Sequence, residues 1–119
     1  MGRVEVTTRV TNPTNGSYFE RLFLVDTGAI DCMAPAVELE KIGVARRGRS
    51  TYELADGSLK EYDWGFVELE FIGDLAAARI LFDENDGEAL LGVVVLESCG
   101  IVVDPRARAL RRLPAIPLK

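Results

Sequence analysis

Stretches in which apolar and polar side chains alternate dominate the pattern of this chain, and that period of two restricts the fold before anything else does. Val4, Val6 and Val10 sit two or four apart among polar residues, as one face of a strand requires. Asn15-Gly16 supplies two residues that tolerate positive φ, so a hairpin is predicted there with Tyr18 to Val25 as the returning strand. Thr51 to Ala55, an Asp56-Gly57 turn and the extended run Ser58 to Phe71 predict a second hairpin whose long arms project from the body. Within that run Tyr62, Trp64 and Phe66 share one phase while Val67, Leu69 and Phe71 share the other, which predicts a β-bulge near Gly65 and Phe66. Leu75 to Phe82 reads as a further strand, Asn85-Asp86-Gly87 as a turn, and Ala89 to Gly92 as the start of a compact apolar stretch. Ile101 to Val103 and Ala109 to Leu113 form a last hairpin about Pro105. Pro35 to Ile42 is the one helix the pattern predicts, with proline in its first turn and Gly43 just past its end. The chain carries no internal repeat, linker or low-complexity tract, so residues 1–119 are expected to form a single, mostly β, mostly antiparallel domain.

Composition narrows the chemistry. The chain has no histidine, which removes Ser-His-Asp and Cys-His nucleophile pairs and leaves a zinc site only cysteines and carboxylates. Cys32 and Cys99 are too few for a disulfide framework and too far apart for a CxxC motif, so both are read as buried thiols. Fourteen basic residues against 19 acidic give a net charge of −5, which argues against nucleic acid as the main partner. The segment 104–119 is the exception, with 5 basic residues and 1 acidic, and it is read as a solvated, partly paired surface. Arg46, Arg47 and Arg49 are read as a solvated connector. Met1-Gly2 opens like a myristoylation site, but Val6 stands where Ser or Thr is wanted. With no apolar run of membrane-spanning length and no signal-peptide layout at the N-terminus, the expectation is a soluble cytoplasmic protein with no membrane partner.

One segment breaks the alternation. In Leu22-Phe23-Leu24-Val25-Asp26-Thr27-Gly28-Ala29 an apolar strand delivers a lone carboxylate at its end, followed by a hydroxyl, a glycine and a small residue. A carboxylate drawn out of water needs donors, and Thr27 with the backbone amides around Gly28 is placed to supply them. Two other motifs are weaker. Asp83-Glu84-Asn85-Asp86-Gly87-Glu88 departs from a calcium loop in the place of its glycine and in carrying Val94 where the bidentate glutamate belongs, so it reads as a solvated acidic turn. Asn15-Gly16-Ser17 fits a glycosylation sequon, but Asn-Gly equally serves the hairpin.

Taken together, Leu24-Val25-Asp26-Thr27-Gly28-Ala29, the Asp56-Gly57 hairpin and Ala89-Leu90-Leu91-Gly92, in that order and spacing, resemble the retropepsin-like aspartic proteases. These single-domain relatives of pepsin include the retroviral proteases. The resemblance implies a small closed antiparallel β-barrel with one or two short helices, acting as a homodimer on a peptide or protein substrate without cofactor or metal. By the same resemblance Asp26 is the catalytic carboxylate, Thr27 bonds across the two-fold to the partner loop, and Gly28 lets the substrate backbone approach. Ala29 and Asp31 line the floor of the cleft, Ala55, Asp56, Gly57 and Ser58 cover the substrate as a flap, and Leu91 packs behind the catalytic loop.

The need for a dimer also follows from chemistry. One carboxylate cannot serve at once as base toward water and acid toward the amide, and this chain offers one Asp-Thr-Gly. A symmetric second copy supplies the other. Two carboxylates in contact cannot both ionise and so share a proton, aspartic proteases being the standing example. Two function classes remain open at this point: a homodimeric aspartic endopeptidase, and a non-catalytic dimerisation or peptide-binding module of the same fold.

Overall fold

The first strand of this computed structural model, β1 (Glu5–Thr11), turns through Asn12–Ser17 and returns as β2 (Tyr18–Val25) in the register Val6 to Phe23 and Val10 to Phe19. The structure describes residues 3–118; Met1-Gly2, where the myristoylation-like opening lies, and Lys119 of the basic tail fall outside the described residues. Gly16 adopts φ +76° at the turn, and the buried Asn12 ties it to the body by donating from Nδ2 to the Ile42 carbonyl at 3.0 Å.

After β2 the chain forms a short β3 (Cys32–Pro35) and then α1 (Ala36–Lys41). Pro35 closes β3 and precedes the helix, one position earlier in role than the sequence implies, while Gly43 at φ +79° ends it as expected. β4 (Gly48–Glu53) and β5 (Leu59–Phe71) make the projecting hairpin, with Gly57 at φ +86° in its tip. Then β5 turns directly into β6 (Asp74–Asp83) through Ile72-Gly73, both at positive φ, the geometry of a two-residue hairpin loop. β7 (Leu90–Leu91), α2 (Val93–Ser98), β8 (Ile101–Asp104) and β9 (Ala109–Arg112) complete the chain.

The fold is mostly β with two short helices. Seven strands form one sheet in the order β1-β2-β7-β3-β6-β5-β4, and β1 also pairs with β5, so the sheet returns on itself. β8 and β9 form a separate two-stranded sheet. Pairing is antiparallel except for β2–β7 and β3–β6, which are parallel. The core lies inside this ring: Val10, Phe23, Leu69, Phe71, Ile80 and Phe82 from the sheet meet Leu39 of α1 and Leu96 of α2, all essentially without solvent contact.

The β-bulge predicted near Gly65 is absent. Pairing between β5 and β6 runs without a break from Trp64 opposite Leu81 to Phe71 opposite Asp74. Gly65, Val67, Leu69 and Phe71 all face inward, and Tyr62, Trp64 and Phe66 keep to the outer face. Both faces of this strand are apolar along part of its length, so no change of face is needed. Gly65 is a glycine for another reason: a Cβ there would come within 2.4 Å of the Ala45 carbonyl oxygen, where the chain crosses the inner face.

Arg46 is also more than a solvated connector. Its guanidinium reaches Glu40 and Asp63 at 2.8 Å and Glu84 at 2.6 Å, and it lies over the Phe82 ring. Arg49 joins the same network through Asp63 at 2.7 Å. At the basic end of the chain, Arg112 pairs with Asp74 and donates to the Ile72 carbonyl, so the tail is partly paired. Cys32 is buried as expected, whereas Cys99 is only half-buried; both are free thiols. No helix among the described residues is long and apolar enough to cross a membrane.

Candidate active site

The loop from Asp26 to Asp31 is built around β7. Leu24 and Val25 pair in parallel with Leu90 and Leu91, while Met33 pairs with Leu90 from the other side, so β7 runs between the two limbs of the loop. Asp26 leaves β2 with its backbone N–H still donating to the Leu91 carbonyl at 3.0 Å. Leu91 itself has no solvent contact and packs behind the loop.

α2 holds the other end. Its first free amides have no side-chain cap, and the loop supplies acceptors instead: the Val93 N–H donates to the Ala29 carbonyl at 2.7 Å and the Val94 N–H to the Ile30 carbonyl at 3.3 Å. Gly92 lies where the two segments meet. A Cβ at that position would stand 2.6 Å from the carbonyl oxygens of both Ile30 and Asp31, so no other residue allows this approach. The Gly92 N–H points at Cys32 Sγ at 3.4 Å. Burial pushes the Cys32 thiol up to about 11 despite that donor, which keeps it protonated and unreactive at neutral pH.

Within this frame the Asp26 carboxylate is half-buried. Its Oδ1 accepts the Gly28 N–H at 3.0 Å, and the Ala29 N–H donates to its backbone carbonyl at 3.1 Å. Among the described residues no hydrogen bond engages Oδ2. Thr27 and Gly28 are exposed, and among the described residues the Thr27 hydroxyl has no partner. The backbone amide is therefore the donor that orients Asp26, and the anticipated support from Thr27 within the chain is not seen.

Asp26 and Thr27 open onto a cavity of about 620 Å³. Its apolar walls include Leu24, Leu96, Ile101 and Val103, with Arg3, Glu97 and Arg108 adding charge. The contribution of α2 and β8 to this wall went unforeseen, although Val93 and Leu96 stand three apart, as one helix face requires. The hairpin tip is elsewhere: Ala55, Asp56, Gly57 and Ser58 are exposed and do not line this cavity. Asp56 accepts the Ser58 hydroxyl at 2.6 Å and the Ser58 N–H at 2.9 Å, and these bonds, the hydroxyl first, hold its carboxyl below the usual aspartate range.

Ala29 is half-buried, and Asp31 meets a partner the sequence did not indicate. The Tyr52 hydroxyl of β4 donates to Asp31 Oδ2 at 2.6 Å. Asp31 also borders a smaller cavity of about 160 Å³ together with Ile30, Arg79 and Val94. Among the described residues no group of His, Cys, Asp and Glu side chains is disposed to hold a metal ion. Neither a scan of protein-family models nor a search of curated proteins finds a match to this chain.

Proposed function

We propose that this chain is an aspartic endopeptidase of the retropepsin-like kind, active as a homodimer with one Asp26 from each copy. The observation that carries the reading is the half-buried Asp26 at the end of β2, held at Oδ1 by the Gly28 amide and lining, with Thr27, a cavity of about 620 Å³. The returning sheet, with β1 paired to both β2 and β5, supports the closed-barrel form of the domain.

In the dimer the two Asp26 carboxylates share one proton. The ionised member takes a proton from a bound water whose oxygen attacks the carbonyl carbon, while the protonated member gives its proton to the carbonyl oxygen. The resulting diol then collapses, the C–N bond breaking as the first carboxyl passes its proton to the leaving nitrogen and a diol hydroxyl returns a proton to the other. The Gly28 amide keeps Oδ1 in place through this exchange without reorganising. Thr27, exposed in the single chain with an unengaged hydroxyl, meets the partner loop and holds the two carboxylates together. The β4–β5 hairpin, whose tip lies outside this cavity, covers the substrate from the side of Asp31, to which Tyr52 ties it.

Cleavage of a denatured protein mixture from about pH 3 to 8, comparing wild type with Asp26→Asn, tests the reading. The amide fills the same space but cannot accept the proton from water, so cleavage is expected only from the wild type, with both proteins dimeric by sedimentation. Equal cleavage by the variant, or a wild type that is monomeric and inert across the range, refutes it.

A further inference from the structure

We propose that the hydrogen bond from the Tyr52 hydroxyl to the Asp31 carboxylate latches the β4–β5 hairpin to the loop that follows Asp26, making Tyr52 a positioning residue for the hairpin tip. The bond joins residues 21 positions apart at 2.6 Å. β4 is the outermost strand of the sheet and pairs with β5 alone, so the backbone ladder leaves the hairpin free to swing as one piece about its root.

Side chains restrict that swing, and they do so in sequence. At the root the Trp64 indole lies against Gly48, where a Cβ would come within 2.4 Å of the ring. The same indole donates to Ser50 Oγ at 2.9 Å and carries the Arg79 guanidinium 4.0 Å above it. One step further out, the Tyr52 ring meets the Tyr62 ring edge-on with centroids 5.9 Å apart. Beyond Tyr52 the described hydrogen bonds of the tip are internal, linking Leu54, Asp56, Gly57 and Ser58 to one another. Among the described residues Tyr52 is therefore the last polar tie between the hairpin and another part of the molecule.

The tie is of a strong kind, a short hydroxyl-to-carboxylate bond. Burial, and then the Asp31 carboxylate, raise the Tyr52 phenol above its ordinary value, with Arg79 acting in the opposite sense, so the hydroxyl keeps its proton to donate. Its other end is firm because the loop carbonyls at Ala29 and Ile30 are held by the first amides of α2. The consequence for peptide access rests on the peptidase reading above, whereas the mechanical coupling does not.

Backbone ¹⁵N relaxation at residues 54–58 measures the coupling directly. In Tyr52→Phe, which keeps the ring, and in Asp31→Ala, order parameters at the tip are expected to fall from about 0.85 toward about 0.6. Asp31→Asn retains an accepting oxygen and is expected to stay near wild type, and the core strands around Phe23, Leu69 and Ile80 are expected to hold in all three. On a cleavable peptide, Tyr52→Phe raises KM several-fold with a smaller change in kcat. Wild-type relaxation at 54–58 in both Tyr52→Phe and Asp31→Ala overturns the proposal, as does loosening spread through the core. A wild type without peptidase activity sinks the functional reading and leaves the relaxation comparison to decide the latch.

Discussion

A carboxylate that acts at the end of a strand needs a donor to hold it and a free lone pair for chemistry, and at Asp26 the backbone of Gly28 meets the first need. A second glycine, Gly92, meets a different one, because the loop carbonyls of Ile30 and Asp31 occupy the space a side chain would take. Gly92→Ala is therefore expected to force the loop and α2 apart, at a cost of about 1–3 kcal/mol typical of overpacking. Denaturant unfolding measures that cost, and an unchanged midpoint would show that the contact is not tight. Asp26, Thr27 and Gly28 were legible in the sequence because three adjacent residue types break an otherwise regular alternation. Tyr52 was not. Its partner lies on a loop 21 residues away, and nothing local distinguishes a strand tyrosine that donates to a distant carboxylate from one that faces water.

The elements tell a similar story about what local preference can specify. Residues Val93-Val94-Val95 open α2 although β-branched side chains favour strands, and the helix forms because the loop accepts its first amides while Val95 and Leu96 are buried. β5 shows the converse: its two apolar phases suggested a bulge, yet its ladder to β6 is unbroken and the strand uses both faces. Its outer segment is held by charge as well as by packing. Asp63 on β5 accepts from Arg49 and Arg46, and these two, in that order, hold its carboxyl below the usual aspartate range. A carboxylate depressed in the folded state contributes stability above its unfolded value, and that contribution disappears as pH falls through the folded value. The melting temperature of wild type should therefore exceed that of Asp63→Asn at neutral pH, and the gap should close below about pH 4. A gap that persists unchanged into stronger acid would show that Asp63 acts through packing instead of charge.

At the scale of the whole molecule, β1 pairs with both β2 and β5, and Asp26 and Thr27 line a cavity walled in part by α2 and β8. In the proposed dimer that side of the molecule meets a second copy, and Thr27 is the residue whose hydroxyl awaits a partner. Thr27→Ala is then expected to weaken dimerisation as well as activity, by about 1–3 kcal/mol per buried group left unpaired. Sedimentation over a dilution series reads the effect. An unchanged dissociation constant would remove Thr27 from the interface, while loss of the dimer with the monomer still folded would place it there.

By itself the sequence determined the hairpins at Asn15-Gly16 and Asp56-Gly57, the long strands and the strand ending in Asp26, but not β3 or α2. The former depend on residues within a few positions of one another: period-two apolar faces and positive-φ glycines. The tertiary structure alone decided how these parts face each other. Threading β7 between the limbs of the loop, crossing Val44-Ala45 over Gly65, gathering Glu40, Asp63 and Glu84 on Arg46, and bringing Tyr52 to Asp31 all join residues far apart in the chain. Such contacts are selected by the way the sheet's strands pair and by the filling of its core, and no local pattern encodes them.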